Sequence, residues 1–312
     1  MYDLIIAGGG PAGVAAGIYA SRKMLKGILI TDLFGGQSLV AAEIQNFIGV
    51  KSISGFNLAK ILKEHLQVAS TSSAQAQKGI KIIEEDLVAK IEKAKDGFKA
   101  TTKKGKIFKS RTVLIASGSR QRKLNIPGEK EFEGRGVFYC STCDAPLMKG
   151  KIAAVIGGGN SGFEAALDLL PYASKIYLLT RTGVLKADPI VREKVRDSKK
   201  VKIITMAGAE EIFGEEFVQG LKYRDHRSGK AKEILLQGVF AAVGYQPNSE
   251  IVKNLVKLTK AGEIVVNPAT QETSCRGIWA AGNVTDGLYR QINISIGDAI
   301  KAVLNIYQSM LK

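Results

Sequence analysis

The chain has 312 residues with 45 Lys or Arg against 29 Asp or Glu, a formal charge of +16; at about 150 residues per domain this length allows about two domains. Its 45% hydrophobic content and 34 Gly exclude a disordered or collagen-like chain, and its three Cys, at 140, 143 and 275, exclude a disulfide-stapled scaffold. The two His, His65 and His226, with one close Cys pair, are too few for a multi-ligand zinc site, and a Ser-His-Asp hydrolase would need one of them outside any elbow motif.

The first residues lack the basic and apolar regions of a leader and read as an unprocessed cytoplasmic start. No apolar run approaches the ~18 residues that span a bilayer. Residues 3–7 form a short apolar run typical of a parallel strand buried on both faces. It enters Gly8-Gly9-Gly10-Pro11-Ala12-Gly13, a helix is predicted over 14–22, and a second strand over 27–31. The pattern recurs: a strand over 152–156, the turn Gly157-Gly158-Gly159-Asn160-Ser161-Gly162, a helix to Leu170, and a strand over 175–180.

A lone GxGxxG is a weak signal. Here each copy follows a strand, opens a helix and precedes another strand, the context that identifies a dinucleotide site. Glycines let the backbone approach a pyrophosphate, and the helix N-terminus offers free N–H groups. Two copies predict two nucleotide-binding domains. Between them, residues 98–102 and 106–116 read as a hairpin about Lys103-Lys104-Gly105, and 221–225 with 231–236 as another about Arg227-Ser228-Gly229. Residues 70–78, rich in Ser, Ala and Gln, read as a loop or frayed helix end, and 292–311 as a core helix.

With a CxxC added to the two glycine turns, the sequence resembles the low-molecular-weight thioredoxin reductase family, and is similar to the reductase portion of the alkyl hydroperoxide reductase flavoprotein. The resemblance covers essentially the whole chain. It rests on residues 8–13, Gly35-Gly36-Gln37, residues 43–49, Ala116-Ser117-Gly118, Cys140-Ser141-Thr142-Cys143-Asp144, residues 157–162 and residues 277–282. It implies an α/β fold of two Rossmann-like domains, an NAD(P)H domain over 118–246 inserted into an FAD domain made of 1–117 and 247–312. FAD would take Gly8, Gly10, Pro11, Ala12, Gly13, Asp32, Gly35, Gly36, Gln37, Asn46, Ala116, Gly118, Gly282, Asn283, Arg290 and Gln291. The nicotinamide donor would take Gly157, Gly159, Asn160, Ser161, Arg181 and Lys186. The family's Gly-Asp near the carboxyl end reads Gly282-Asn283 here, which keeps a hydrogen-bonding group and loses a charge.

Cys140 and Cys143 follow a strand-like stretch and are expected to begin a helix whose dipole favours a thiolate. A zinc half-site or a structural disulfide is the alternative for any CxxC, but Cys275 is distant and there is no second pair. Asp144 is the expected general acid, or simply a capping carboxylate. The resemblance implies a thioredoxin-disulfide reductase that passes electrons from NAD(P)H through FAD and the Cys140–Cys143 disulfide to a thioredoxin-like or glutaredoxin-like protein. A peroxiredoxin system, or NADH or ferredoxin as donor, is the alternative. The relatives' amino-terminal thioredoxin-like domains have no counterpart here, so the acceptor is expected to be a separate protein.

Hinging is expected near Ser117-Gly118-Ser119 and Gly244-Tyr245-Gln246-Pro247, and a homodimer is expected from the resemblance alone. Arg181 after the second unit's strand, with Lys186 beyond it and no acid between, leans toward NADPH over NADH. Lysine clusters at 103–106 and 199–202 lack interleaved aromatics and read as solvated faces; part of the +16 is expected to steer an acidic redox partner and not nucleic acid or membrane.

Overall fold

The computed structural model describes residues 1–41, 44–71 and 79–311. Glu43 and residues 72–78 of the Ser-, Ala- and Gln-rich stretch lie outside the described residues. The chain forms two compact units, one from Met1–Arg120 with Gln246–Lys312 and one from Gln121–Tyr245.

The outer unit opens with β1 (Tyr2–Ala7), α1 (Pro11–Arg22), β2 (Gly27–Ile30), α2 (Gly55–Thr71) and β3 (Ile80–Ile83), followed by β4 (Val88–Ala94), β5 (Gly97–Thr102) and β6 (Ile107–Ile115). β1 pairs in parallel with β2 and β6, and β2 with β3. Successive strand residues face opposite sides, so β1 serves two layers at once. Leu4 and Ile6 pack with Val14, Ile18, Leu58 and Leu66 of the helices, while Ile5 and Ala7 pack with Val88, Phe98 and Val113 on the other face. Double burial is why the run is continuously apolar. The predicted hairpin is β5 with β6, and β4 joins it as a third antiparallel strand.

The chain leaves through β7 (Ser119–Gln121) and builds the inserted unit from β8 (Val137–Phe138), α3 (Ser141–Asp144), β9 (Ile152–Ile156), α4 (Asn160–Leu169), β10 (Lys175–Thr180), α5 (Pro189–Asp197), β11 (Val201–Thr205), β12 (Ala207–Gly214), β13 (Val218–Asp225), β14 (Ala231–Leu235) and β15 (Gly238–Ala241). Five strands are parallel in the order β11-β10-β9-β15-β8, and β12, β13 and β14 form an antiparallel meander. Ala153 and Val155 pack with Phe163 and Leu169 of α4; Ala154 and Ile156 pack with Leu221 and Val239 on the other face.

After β16 (Tyr245–Pro247), the returning segment adds β17 (Ile278–Ala280) in parallel to β6, with Trp279 opposite Leu114. The predicted last helix, α6 (Ile292–Met310), places Ala299, Val303 and Ile306 in the same layer as α1. Trp279 is fully buried and its indole donates to Asn305 Oδ1 at 3.0 Å, so its burial leaves no donor unpaired. Both units are therefore Rossmann-like, the second inserted into the first. Among the described residues no helix is long and apolar enough to cross a membrane.

Candidate active site

Each unit carries the same close approach at the carboxyl end of its first strand. Gly8, at φ +117°, sits where any Cβ would strike the carbonyl oxygen of Ala116, and Gly157, at φ +153°, stands the same way against Ala242. Gly13 packs on the Gly8 carbonyl and Gly162 on that of Gly157, while Thr31 and Thr180 crowd Gly9 and Gly158. α1 and α4 start at Gly10 and Gly159 with no side-chain cap, which leaves the first N–H groups of each helix to an external anion.

In the outer unit this turn borders a cavity of about 860 Å³. Gly8, Gly10, Pro11 and Ala12 form one wall, and Asp32, at the end of β2, lies beside Gly36 and Gln37. Ala116 and Gly118 come from the end of β6, and Gly282, Asn283, Arg290 and Gln291 from the returning segment. Three of the expected residues stand off the cavity. Gly13 lies behind Gly8, Gly35 leads into the 3-10 turn Gly36–Val40 at φ +90°, and Asn46 is exposed and donates to Gln291 Oε1 at 2.9 Å. Arg290 faces the cavity but its guanidinium is held by Glu263 at 2.6 Å. Sequence reasoning missed Ser119, which lines the cavity with a buried hydroxyl lacking a partner. An orphaned hydroxyl, a glycine cradle and a cavity of this volume suit a large polar dinucleotide.

In the inserted unit Cys140 and Cys143 are joined as a disulfide, with Cα atoms 5.4 Å apart. Cys140 is half-buried and Cys143 exposed. Cys140 caps α3, its Sγ accepting from the Cys143 N–H at 3.3 Å. The expected helix is thus a single turn of four residues. So short a helix carries little dipole, and the local N–H is what supports negative charge on sulfur. Asp144 closes the turn half-buried, and burial holds its carboxyl above the usual carboxylate range.

Three acidic neighbours went unnoticed in the sequence. Ser141 Oγ donates to Asp168 Oδ2 at 2.7 Å, and Thr142 Oγ1 to the same oxygen at 3.4 Å. Glu164 stands one turn before Asp168, its carboxyl raised by burial and by the charges of Asp168 and Asp188. Buried Glu129 accepts from the Tyr139 hydroxyl at 2.8 Å and from the Leu124 and Asn125 N–H groups at 2.7 and 2.6 Å. Burial, with Glu129 close by, pushes the Tyr139 phenol up. Tyr139, Cys140, Ser141, Ser161, Glu164 and Asp168 line a small polar cavity of about 170 Å³. The i, i+4 pair Glu164 and Asp168 was the available sequence signal, since that spacing puts both on one helix face.

At the far end of the second glycine turn, Lys186 donates its N–H to the Gly158 carbonyl at 2.9 Å, bringing it back beside the turn, and Arg181 is exposed just after β10. The Asn160 side chain is occupied by Asp188: its Oδ1 accepts from the Asp188 N–H at 2.8 Å. Cys275 is buried and lines neither cavity. Among the described residues no group of three or more His, Cys, Asp or Glu is placed to hold a metal ion.

The sequence profile of the pyridine nucleotide-disulphide oxidoreductases matches residues 2–299. Over its whole length the chain is 40% identical to an alkyl hydroperoxide reductase subunit of Pseudomonas putida, covering 58% of that protein, and 38% identical to a Bacillus subtilis protein named NADH dehydrogenase, covering 59%. It thus spans less than two thirds of the length of these curated relatives. Among solved structures it is similar to Lactococcus lactis thioredoxin reductase in its FR conformation, with a TM-score of 0.87 at 32% identity, covering 100% of this chain and 99% of that one. It is also similar to T. acidophilum thioredoxin reductase, with a TM-score of 0.85 at 34% identity and the same coverage.

Proposed function

The chain belongs to the pyridine nucleotide-disulphide oxidoreductase family, and we propose that within it this protein reduces the disulfide of a small thioredoxin-like or glutaredoxin-like protein. The observation that carries the reading is the Cys140–Cys143 disulfide, open to solvent at Cys143 and adjacent to Asp144. The family uses FAD and a nicotinamide nucleotide. We assign FAD to the cavity of the outer unit, Met1–Arg120 with Gln246–Lys312, and the nicotinamide donor to the glycine turn at Gly157 in the inserted unit, Gln121–Tyr245. When bound, the two cofactors supply two-electron transfer between nicotinamide and disulfide.

The chain's own residues then have separable tasks. The Gly8 and Gly157 turns seat the two pyrophosphates against helix N-termini. Two electrons and two protons open the Cys140–Cys143 bond to a dithiol, and Asp144, its carboxyl raised by burial, protonates the thiolate as it leaves. One Cys thiolate attacks the partner's disulfide to form a mixed disulfide; the other resolves it, releasing the partner's dithiol and re-forming the bond. Cys143→Ser should stop turnover of the protein partner by more than about 100-fold while flavin absorbance reports a folded protein. Undiminished turnover in that variant contradicts the reading.

Arg181 and Lys186 follow the second unit's strand with no acid between them in sequence, which favours the 2′-phosphate of NADPH. The Bacillus subtilis relative bears a name pointing to NADH. Comparing kcat/KM for the two nucleotides decides between them, and an equal or higher value for NADH contradicts the NADPH assignment. A second reading of the acceptor is a peroxiredoxin system, favoured by the 40% identity to the Pseudomonas putida alkyl hydroperoxide reductase protein. A homodimer belongs to the same proposal; a solution mass of twice the 33.5 kDa chain tests it.

A further inference from the structure

We infer that Asp168 is a positioning residue for the Cys140–Cys143 pair: its carboxylate grips the two residues between the cysteines and lowers the reduction potential of the disulfide. The inference rests on reading that pair as the redox centre. One carboxylate oxygen accepts from both intervening side chains, Ser141 Oγ at 2.7 Å and Thr142 Oγ1 at 3.4 Å. α3 has no buried residue with which to fix itself, being one turn long. Asp168 sits instead near the end of the ten-residue α4, whose Phe163, Ala166 and Leu169 are fully buried. The buried helix thus grips both side chains between the cysteines through one carboxylate oxygen.

Two effects follow, and they have the same sign. When the sulfur–sulfur bond opens, taking up two electrons and two protons, the thiols part only as far as Ser141 and Thr142 allow. A held loop keeps them close, raises their effective concentration toward each other and favours the closed disulfide. The negative charge of Asp168, in the small polar cavity it shares with Cys140, also opposes a thiolate on the reduced pair. Glu164, one turn earlier on the same face, adds charge of the same sign wherever it is ionised. Both effects destabilise the dithiol relative to the disulfide, so the reduced pair is the stronger reductant toward its partner.

The test equilibrates the flavin-loaded protein, wild type and variants, with mixtures of reduced and oxidised dithiothreitol without oxygen. Alkylation and peptide mass then count Cys140 and Cys143 thiols. Asp168→Ala should move the equilibrium constant toward the dithiol about tenfold, which is ~30 mV for a two-electron couple. Asp168→Asn keeps an oxygen for the Ser141 hydroxyl and drops the charge, and should move it by about threefold in the same direction. Constants for both variants equal to that of the wild type, or moved the other way, overturn the inference. If Asp168→Ala does not fold, Asp168→Asn decides alone on the same criterion. A wild-type pair that stays oxidised in excess dithiothreitol contradicts the redox reading itself and takes this inference with it.

Discussion

Gly8 lies so close to the carbonyl oxygen of Ala116 that no methyl group fits between them, and Gly157 stands in the same relation to Ala242. An alanine at either place adds a strained positive φ, about 1–2 kcal/mol, to a backbone collision that must push the turn open. The two substitutions should have different consequences. Gly8→Ala protein should purify without yellow colour, its FAD affinity down at least ~100-fold. Gly157→Ala protein should stay yellow and no longer be bleached by nicotinamide. Colour lost from the second variant and kept by the first contradicts the assignment of the two turns.

Asp144 gives a pH prediction. Burial raises its carboxyl above the usual carboxylate range, so it keeps its proton to higher pH. Its use as an acid is complete below that raised value and is lost as pH rises through it. Asp144→Asn should slow partner reduction by about 10²-fold and remove that alkaline decline from kcat/KM. Asp144 makes no side-chain cap bond, so a variant with wild-type rates and the same pH profile shows that it is not the acid.

Asp86 tests the outer unit's stability. Its carboxyl is pushed up by burial but held below the ordinary value of 3.8 by the Thr102 hydroxyl, the Lys104 and Leu87 N–H groups and the charge of Lys106. A depressed carboxyl stabilises the fold above its unfolded pKa, and the contribution fades as pH falls toward the folded value. Asp86→Ala leaves the N–H groups of Leu87 and Lys104, now bonded at 2.9 and 3.2 Å, without their acceptor. The expected cost is about 3 kcal/mol, or roughly 6–12 °C in Tm. The difference from wild type should shrink in acid; a gap independent of pH excludes the carboxylate as its source.

The +16 charge predicts steering of an acidic redox partner. Its association rate should fall steeply as salt rises from low to physiological strength, with kcat little changed. Salt-insensitive association leaves the excess lysines without this role.

The glycine turns were legible because everything they need is local: a doubly buried strand, a run of small residues and a helix in immediate succession. The β5–β6 and β13–β14 hairpins were legible from their turn residues. β4 was not, since Lys90, Glu92 and Lys93 break its alternation and its place depends on pairing with β5. α2 went unassigned although Leu58, Leu62 and Leu66 recur at helical spacing on its buried face. The grip of Asp168 on Ser141 spans 27 positions, and the hold of Glu263 on Arg290 spans the same number. No periodicity encodes such contacts; only the packing of α4 beside α3 creates the first. Ser119 reads in the sequence only as part of an expected hinge; its buried hydroxyl, without a partner, shows itself only in the fold.

The proposed reaction requires the Cys140–Cys143 disulfide to take electrons from the nicotinamide by way of the flavin site. Anaerobic titration of the yellow protein, with alkylation of new thiols at each point, tests it most directly. The expected result is uptake of about two equivalents of nicotinamide per chain, one for the flavin and one for the Cys140–Cys143 disulfide, with two new thiols that map to Cys140 and Cys143. Complete bleaching at about one equivalent, with both cysteines still oxidised after a further equivalent, would contradict it.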